Sequence, residues 1–147
     1  MTHTIQSVIP MTDHILGVKF TEGAIKLYDI KPLFDKHPKF SMLMNNADLY
    51  AQVSADVDGY GISWNDGLAL SADELWDSGW PEWNNGELVT IEIEMDGELL
   101  RQVEEVLKPY GLSPEDWAVM ALELLVFPPT QERAIMLLNK SLSQNII

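Results

Sequence analysis

The amino-acid sequence predicts an α+β fold, with a small β-rich N-terminal domain followed by a strand and three helices. Three observations support this prediction. Apolar and polar residues alternate in short runs over the first half of the chain, and apolar residues recur at helical spacing after Asp96. Between these regions lies a stretch rich in Gly, Asn, Asp and Pro, which predicts a linker. The predicted parts are a β-rich domain at 1–77, a linker at 78–87 and a dimerisation module at 88–147.

Short strands dominate the prediction for residues 1–77. Ile15–Phe20 alternates and is followed by a turn sequence, so Ala24–Ile30 is predicted to return beside it as a hairpin. Further strands are predicted at Leu49–Val53 and Tyr60–Trp64, with an irregular to helical stretch before them. The sequence "SADE" then predicts a capping box, in which Ser71 and Glu74 begin a short helix.

Residues 88–147 follow a different pattern. Leu88–Glu94 alternates throughout, so a strand is predicted there, with Val89, Ile91 and Ile93 on its apolar face. Its polar face consists of Thr90, Glu92 and Glu94. Helices are predicted from Asp96 to about Tyr110, from Pro114 to Phe127, and from about Thr130 to Leu142.

The predicted helix at Pro114–Phe127 is apolar on nearly all sides. From Trp117 to Phe127 only Glu123 is charged, and such a helix must be covered on several faces. One strand and one helix cannot supply that cover, so we predict a homodimer. The predicted dimer core comprises Val89, Ile91, Ile93, Trp117, Met120, Ala121, Leu124 and Leu125.

The charge of the chain limits the partners that it can bind. The net charge is −14, from 23 acidic and nine basic residues, and both halves are acidic. Nucleic-acid affinity comes largely from basic residues that neutralise phosphates, so a basic protein is the better candidate partner. The chain has no cysteine, and we expect neither a secretory signal nor a transmembrane helix. The expected location is therefore the cytoplasm.

The stretch "VTIEIEMDGELLRQVEEVLKPYGLSPEDWAVMALELL" resembles ribbon-helix-helix proteins, especially the RelB-type antitoxins. The resemblance covers residues 88–127. It implies that strands of two chains pair into a ribbon that enters the DNA major groove. By this resemblance Thr90, Glu92 and Glu94 would face the bases, and Ser113 would lie near a phosphate.

This sequence departs from the ribbon-helix-helix pattern in its charge. Ribbons that bind DNA usually present Arg, Lys, Asn, Gln or Thr, whereas this one presents two glutamates per chain. Glu115 and Asp116 also place negative charge at the start of the second helix, where a phosphate would bind. Two alternatives follow: a module that only dimerises, which the charge favours, and a module that also binds DNA.

The first half of the chain resembles the bacterial domain of unknown function 2442. The matching stretches are "LGVKFTEGAIKLYDIKPLF", "DLYAQV" and "GISWNDGLALSADELW", and the resemblance covers about residues 5–77. Members of that family carry a helix-turn-helix or stand alone, often beside small toxin-like genes. The resemblance implies a regulator or an antitoxin-like partner and no particular reaction.

No set of catalytic, cofactor-binding or metal-binding residues is predicted. Asp56 and Asp58 imitate the first positions of a calcium loop, but the bidentate Glu that such a loop requires is replaced by Gly67. The three histidines are scattered, without a second ligand at helical spacing. We therefore expect a protein that is not an enzyme.

Two tryptophans in the predicted linker leave two interpretations open. Trp80 and Trp83 flank Pro81, and they could either dock the two predicted domains together or form an exposed patch for a partner. The terminal helix likewise could pack on the dimer or wrap a partner protein.

The function expected from these observations is an antitoxin-like or regulatory adaptor that homodimerises and binds a basic protein. The first alternative is a DNA-binding autoregulator that uses the ribbon. The second is an acidic inhibitor that mimics nucleic acid, which the net charge alone suggests.

Overall fold

The computed structural model describes residues 3–82 and 88–127 and confirms the α+β class. Its strands are β1 (Ile5–Pro10), β2 (Ile15–Phe20), β3 (Ile25–Asp29), β4 (Ser54–Ala55), β5 (Gly61–Ser63) and β6 (Ala69–Ser71). Its α-helices are α1 (Lys31–Lys36), α2 (Ala47–Tyr50), α3 (Ala72–Ser78), α4 (Gly97–Leu107) and α5 (Pro114–Val126). Short 3₁₀ turns connect several of these elements. Across the described ranges, no helix is long and apolar enough to cross a membrane.

The strands form two antiparallel sheets of three strands each, in the orders β1-β2-β3 and β4-β5-β6. The predicted hairpin is confirmed, because β2 has the predicted bounds and pairs with β3 through Val18 opposite Lys26. The predicted strand Leu49–Val53 is wrong. Asn46 instead caps α2, since its side chain accepts the N–H of Leu49, and only the short β4 follows.

The first sheet is buried on both faces. Leu16, Val18 and Phe20 of β2 lie in one hydrophobic cluster with the second sheet and α3. The opposite face carries Ile15 and Gly17, and Ile15 belongs to a second cluster that also includes residues of α4 and α5. The two predicted domains therefore share this second cluster.

The predicted helices within the described ranges are confirmed. Ser71 caps α3 by accepting the N–H of Glu74, and Asp96 caps α4 by accepting the N–H of Glu98. Gly111 ends the following 3₁₀ turn with a left-handed φ of 68°, a conformation that glycine adopts without strain. The predicted terminal helix, from about Thr130 to Leu142, lies outside the described residues.

The α5 helix packs against the outer face of the first sheet. Met120 is fully buried, and a Cβ added to Gly17 of β2 would lie 2.7 Å from its sulfur. The absence of a side chain at Gly17 therefore lets the helix approach the sheet. The sheet of the same chain therefore covers this side of α5, whereas the prediction was that a second copy of the chain covers it.

The predicted strand at Leu88–Glu94 is not formed. Residues 88–96 have no regular secondary structure, and every one of them is exposed. A strand is held by hydrogen bonds to a neighbouring strand, and the described part of the chain places none beside this segment. Alternation along the sequence cannot supply that neighbour.

Candidate partner-binding surface

The segment formed by residues 88–95 presents an unusual amount of apolar surface to solvent. Leu88 is 85% exposed and Ile93 is 63% exposed, and Val89, Ile91 and Met95 are also exposed. The residues predicted to face DNA or a partner, Thr90, Glu92 and Glu94, are exposed as well. Contiguous apolar surface of this kind marks an interaction site in soluble proteins.

The structure divides the predicted dimer core into three groups. Met120 is buried against the sheet of its own chain. Trp117 and Leu124 are half-buried beside the same cluster. Ala121 and Leu125, like the three apolar residues of the 88–95 segment, face solvent. Only the exposed groups are available to a second chain.

A groove lies where α4 meets the first sheet and α5. Its volume is about 320 Å³. Its lining is predominantly apolar and continues into the second hydrophobic cluster through Ile9 and Leu107. The residues that line it are Ile9, Leu99, Gln102, Val103, Val106, Leu107 and Trp117. We call this feature the α4 groove.

Acidic residues are frequent in the same part of the chain as this apolar surface. Residues 88–127 contain nine acidic and two basic residues, and seven of the acidic side chains are exposed. On α4, Arg101 lies between two of them, 2.6 Å from Glu98 and 2.5 Å from Glu105. Residues 88–127 therefore expose both apolar side chains and an excess of carboxylates.

Ser113, which the ribbon-helix-helix resemblance places near a phosphate, is occupied in capping α5. Its hydroxyl accepts the N–H of Asp116, and its own N–H donates to the Asp116 carboxylate. Asp116 also contacts Lys19 of β2 at 2.9 Å. Burial raises the pKa of Asp116, but the Ser113 N–H and Lys19 outweigh it and leave that pKa below its usual value. A carboxylate therefore already fills the anion position at this helix start.

Lys26 of β3 and Glu123 of α5 interact through their charges, and Oε1 of Glu123 is buried without a hydrogen-bond partner among the described residues. Lys26 of β3 is buried, and its ammonium donates to the carbonyl of Trp76 and lies over that indole ring. Burial lowers the pKa of Lys26, against the opposing effect of nearby carboxylates. Burial raises the pKa of Glu123 to about 8, although the charge of Lys26 opposes that shift.

Sequence reasoning missed Gly17 as a point of contact between the two halves, and it missed Lys26 and Glu123, whose charges interact. For Gly17 a signal was present, because a glycine inside a strand often marks a close approach of another backbone or side chain. For the other two no local signal exists, since their partners are distant in the sequence. Glu123 was noticed only as an interruption of an apolar helix.

The linker tryptophan Trp80 docks the two halves together. Its N–H and carbonyl pair with Leu27 of β3, and its indole ring packs edge-on against Phe127 with centroids 5.5 Å apart. Trp80 is therefore half-buried and is not part of an open patch. Trp83, the other predicted patch residue, lies outside the described residues.

The carboxylates that imitate a calcium loop have local partners. Asp56 accepts the hydroxyl of Ser63, and Asp58 accepts the N–H of Tyr60. Within the described ranges, no group of three His, Asp or Glu side chains could hold a metal ion. These two aspartates act as turn residues in the second sheet.

A comparison with protein families decides the affiliation of the first half. Residues 5–79, half of the chain, match the family described as "Protein of unknown function (DUF2442)". The chain belongs to the DUF2442 family. No curated protein and no solved structure matches it.

The residues that carry the DUF2442 resemblance hold the fold together. Within "GISWNDGLALSADELW", a Cβ on Gly61 would lie 2.6 Å from the carbonyl oxygen of Leu70. The indole N–H of Trp64 donates to the carbonyl of Tyr50, and Ser71 caps α3. The DUF2442 motif is thus explained by backbone spacing, packing and capping.

Proposed function

We propose that this DUF2442 protein is a homodimeric, non-enzymatic adaptor of the bacterial cytoplasm that binds a basic protein, as an antitoxin or a regulatory subunit does. The observation that carries the proposal is the apolar surface of residues 88–127. Among the exposed large apolar side chains of the described residues, twelve belong to 88–127 and four to 3–82. Exposing this many apolar side chains to water is unfavourable in free energy unless another chain covers them.

Dimerisation through the 88–95 segment accounts for its alternation. In an antiparallel pair related by a two-fold axis, Val89, Ile91 and Ile93 of both copies would lie on one face. The unformed strand would then gain the hydrogen-bonding neighbour that residues 3–82 and 88–127 of its own chain do not supply. The exposed Ala121 and Leu125 of α5 offer further apolar surface to the same interface.

Light scattering of the full chain at micromolar concentration tests this dimer. The expected mass is about 33 kDa, twice the 16.6 kDa of the chain, and Ile91→Asp should reduce it to that of a monomer. Val57→Asp is the matched control, because Val57 is fully exposed in the other half and receives the same charge. A wild-type monomer under these conditions would contradict the dimer.

The basic partner is supported by the excess of carboxylates in residues 88–127. Complementary charge accelerates association and disfavours wrong partners. The test is affinity capture of the tagged full chain from its host, followed by reciprocal capture with the protein that is recovered. A stoichiometric basic protein in both directions is expected, and the absence of any stable partner would count against the adaptor.

A further inference from the structure

We propose that the α4 groove receives the apolar face of a basic amphipathic helix that belongs to the partner protein. This inference rests on the proposed function, and it deepens that function by assigning the site and the chemistry of the bound segment. It commits the groove to a different protein and leaves the 88–95 segment to the second copy.

The dimensions of the groove suit a helix. Its lining on α4 extends from Leu99 to Leu107, a distance of about 12 Å at 1.5 Å per residue. Two turns of a docked helix fit within this length, so anchors at positions i, i+4 and i+7 can enter it. Its volume of about 320 Å³ is in the range that accepts an apolar ligand group.

The floor and walls of the groove favour apolar anchors. Ile9 and Leu107 at its base are buried members of the second cluster, whereas Val103 and Trp117 are half-buried beside it. Val106 at the rim is 67% exposed, so an occupant would remove its side chain from water. Burial of such a side chain would stabilise the complex.

The charges at the rim decide between a basic partner and a second copy. Glu98 and Glu105 lie on α4 beside the groove, with Asp96 at its start and Glu104 also exposed. A second copy would bring the same carboxylates toward these, and like charges in proximity oppose association. A helix with Lys or Arg beside its apolar face would instead meet carboxylates of opposite charge on α4.

Arg101 offers a test in which affinity should increase. Its guanidinium occupies the space between Glu98 and Glu105 and donates to both. A basic helix in the groove must therefore compete with Arg101 for these carboxylates. Replacement of Arg101 by Gln removes the competing charge, and it leaves the apolar lining of the groove unchanged.

The experiment measures binding of labelled 14-residue helical peptides to the full chain by fluorescence anisotropy. The first peptide contains Leu at i, i+4 and i+7 spacing and Lys elsewhere. The second has the same composition with the leucines spread around the helix, and the third replaces Lys by Glu. We expect the first to bind at least tenfold more tightly than the second, and the third not to bind.

Three variants of the full chain complete the test, each checked for folding by circular dichroism. Val106→Asp should weaken binding of the first peptide at least tenfold, whereas Val57→Asp, with the same added charge far from the groove, should change it less than twofold. Arg101→Gln should strengthen it about threefold. Val106 is exposed in the structure, so its substitution is not expected to unfold the chain.

Equal binding of the first two peptides, or equal effects of the two aspartate substitutions, would overturn the inference, because attraction would then depend on net charge alone. A change of oligomeric state with Val106→Asp, without any peptide binding, would assign the groove to a second copy and also overturn it. In either case the dimer mass and the reciprocal capture would still test the proposed function independently.

Discussion

Residues 3–82 and 88–127 differ in how many of their large apolar side chains are buried. The first region contains two sheets whose large side chains are almost all buried, and only Met42, Met44, Val57 and Tyr60 are exposed. The second region is half as long and exposes three times as many. It buries one face of α5 and a few residues of α4 on the first region, and it leaves the rest uncovered. The first region therefore completes its own core, whereas the second leaves apolar side chains exposed, which we propose another chain covers.

Among the changes that test this difference in burial, truncation of Met120 should have the largest effect on stability. Met120→Ala removes a fully buried side chain at the contact between the regions, so the free energy of unfolding should fall by about 2 to 5 kcal/mol. Leu122→Ala, on the exposed side of the same helix, should change it by less than about 0.5 kcal/mol in a dilute, monomeric sample. Urea unfolding followed by tryptophan fluorescence measures both. Equal small effects would mean that α5 does not pack on the sheet.

Gly17 allows the same contact to be tested from the side of the sheet. A Cβ there would lie 2.7 Å from the Met120 sulfur and 3.1 Å from Ile9 Cγ2, so Gly17→Ala should destabilise the chain by about 1 to 3 kcal/mol. In a Met120→Ala background the added methyl group has more space, and most of this cost should disappear.

Gly97→Ala is the matched control for that experiment. Nothing lies within 4 Å of a Cβ at Gly97, and alanine favours helix formation, so this change should be neutral or slightly stabilising. If the losses of unfolding free energy from Gly17→Ala and Met120→Ala were additive, glycine at position 17 would not be required by the close approach of α5 to β2.

Local signals in the sequence were sufficient to predict the elements that depend on neighbouring residues or on alternating apolar and polar residues. The hairpin of β2 and β3 follows from alternation around a turn. The limits of α4 and α5 follow from Asp96, Gly111 and Pro114, which are typical of helix starts and ends. The short helix α2 was missed because the cap provided by Asn46 acts over three residues, while the apolar alternation of Leu49–Val53 suggested a strand.

The interactions between distant parts of the chain could not be predicted in this way. The apolar character of α5 correctly indicated a covered helix, but it did not identify the cover, which for Met120 is the sheet around Gly17. The alternation of Leu88–Glu94 indicates a strand, yet a strand forms only where a neighbour accepts its hydrogen bonds. For the candidate surface, the sequence indicated the residues of the 88–95 segment, but it indicated neither the α4 groove nor which of the predicted residues are exposed.

Glu123 provides the smallest and most specific test of the contact between the regions. Its folded-state pKa of about 8 lies above the ordinary value of 4.5, so folding favours the protonated carboxyl. The stability of the chain should therefore decrease as the pH rises from about 4.5 to about 8 and change little from this group above that range. Glu123→Gln keeps the shape and removes the ionisation, so it should be nearly neutral near pH 4.5 and stabilising at pH 8.5, where the carboxylate of the wild type is ionised in the unfolded chain. Glu115→Gln, at an exposed position of the same helix, removes the same charge and is the matched control. If Glu123→Gln and Glu115→Gln gave parallel curves of unfolding free energy against pH, the carboxyl of Glu123 would not be buried in the folded chain.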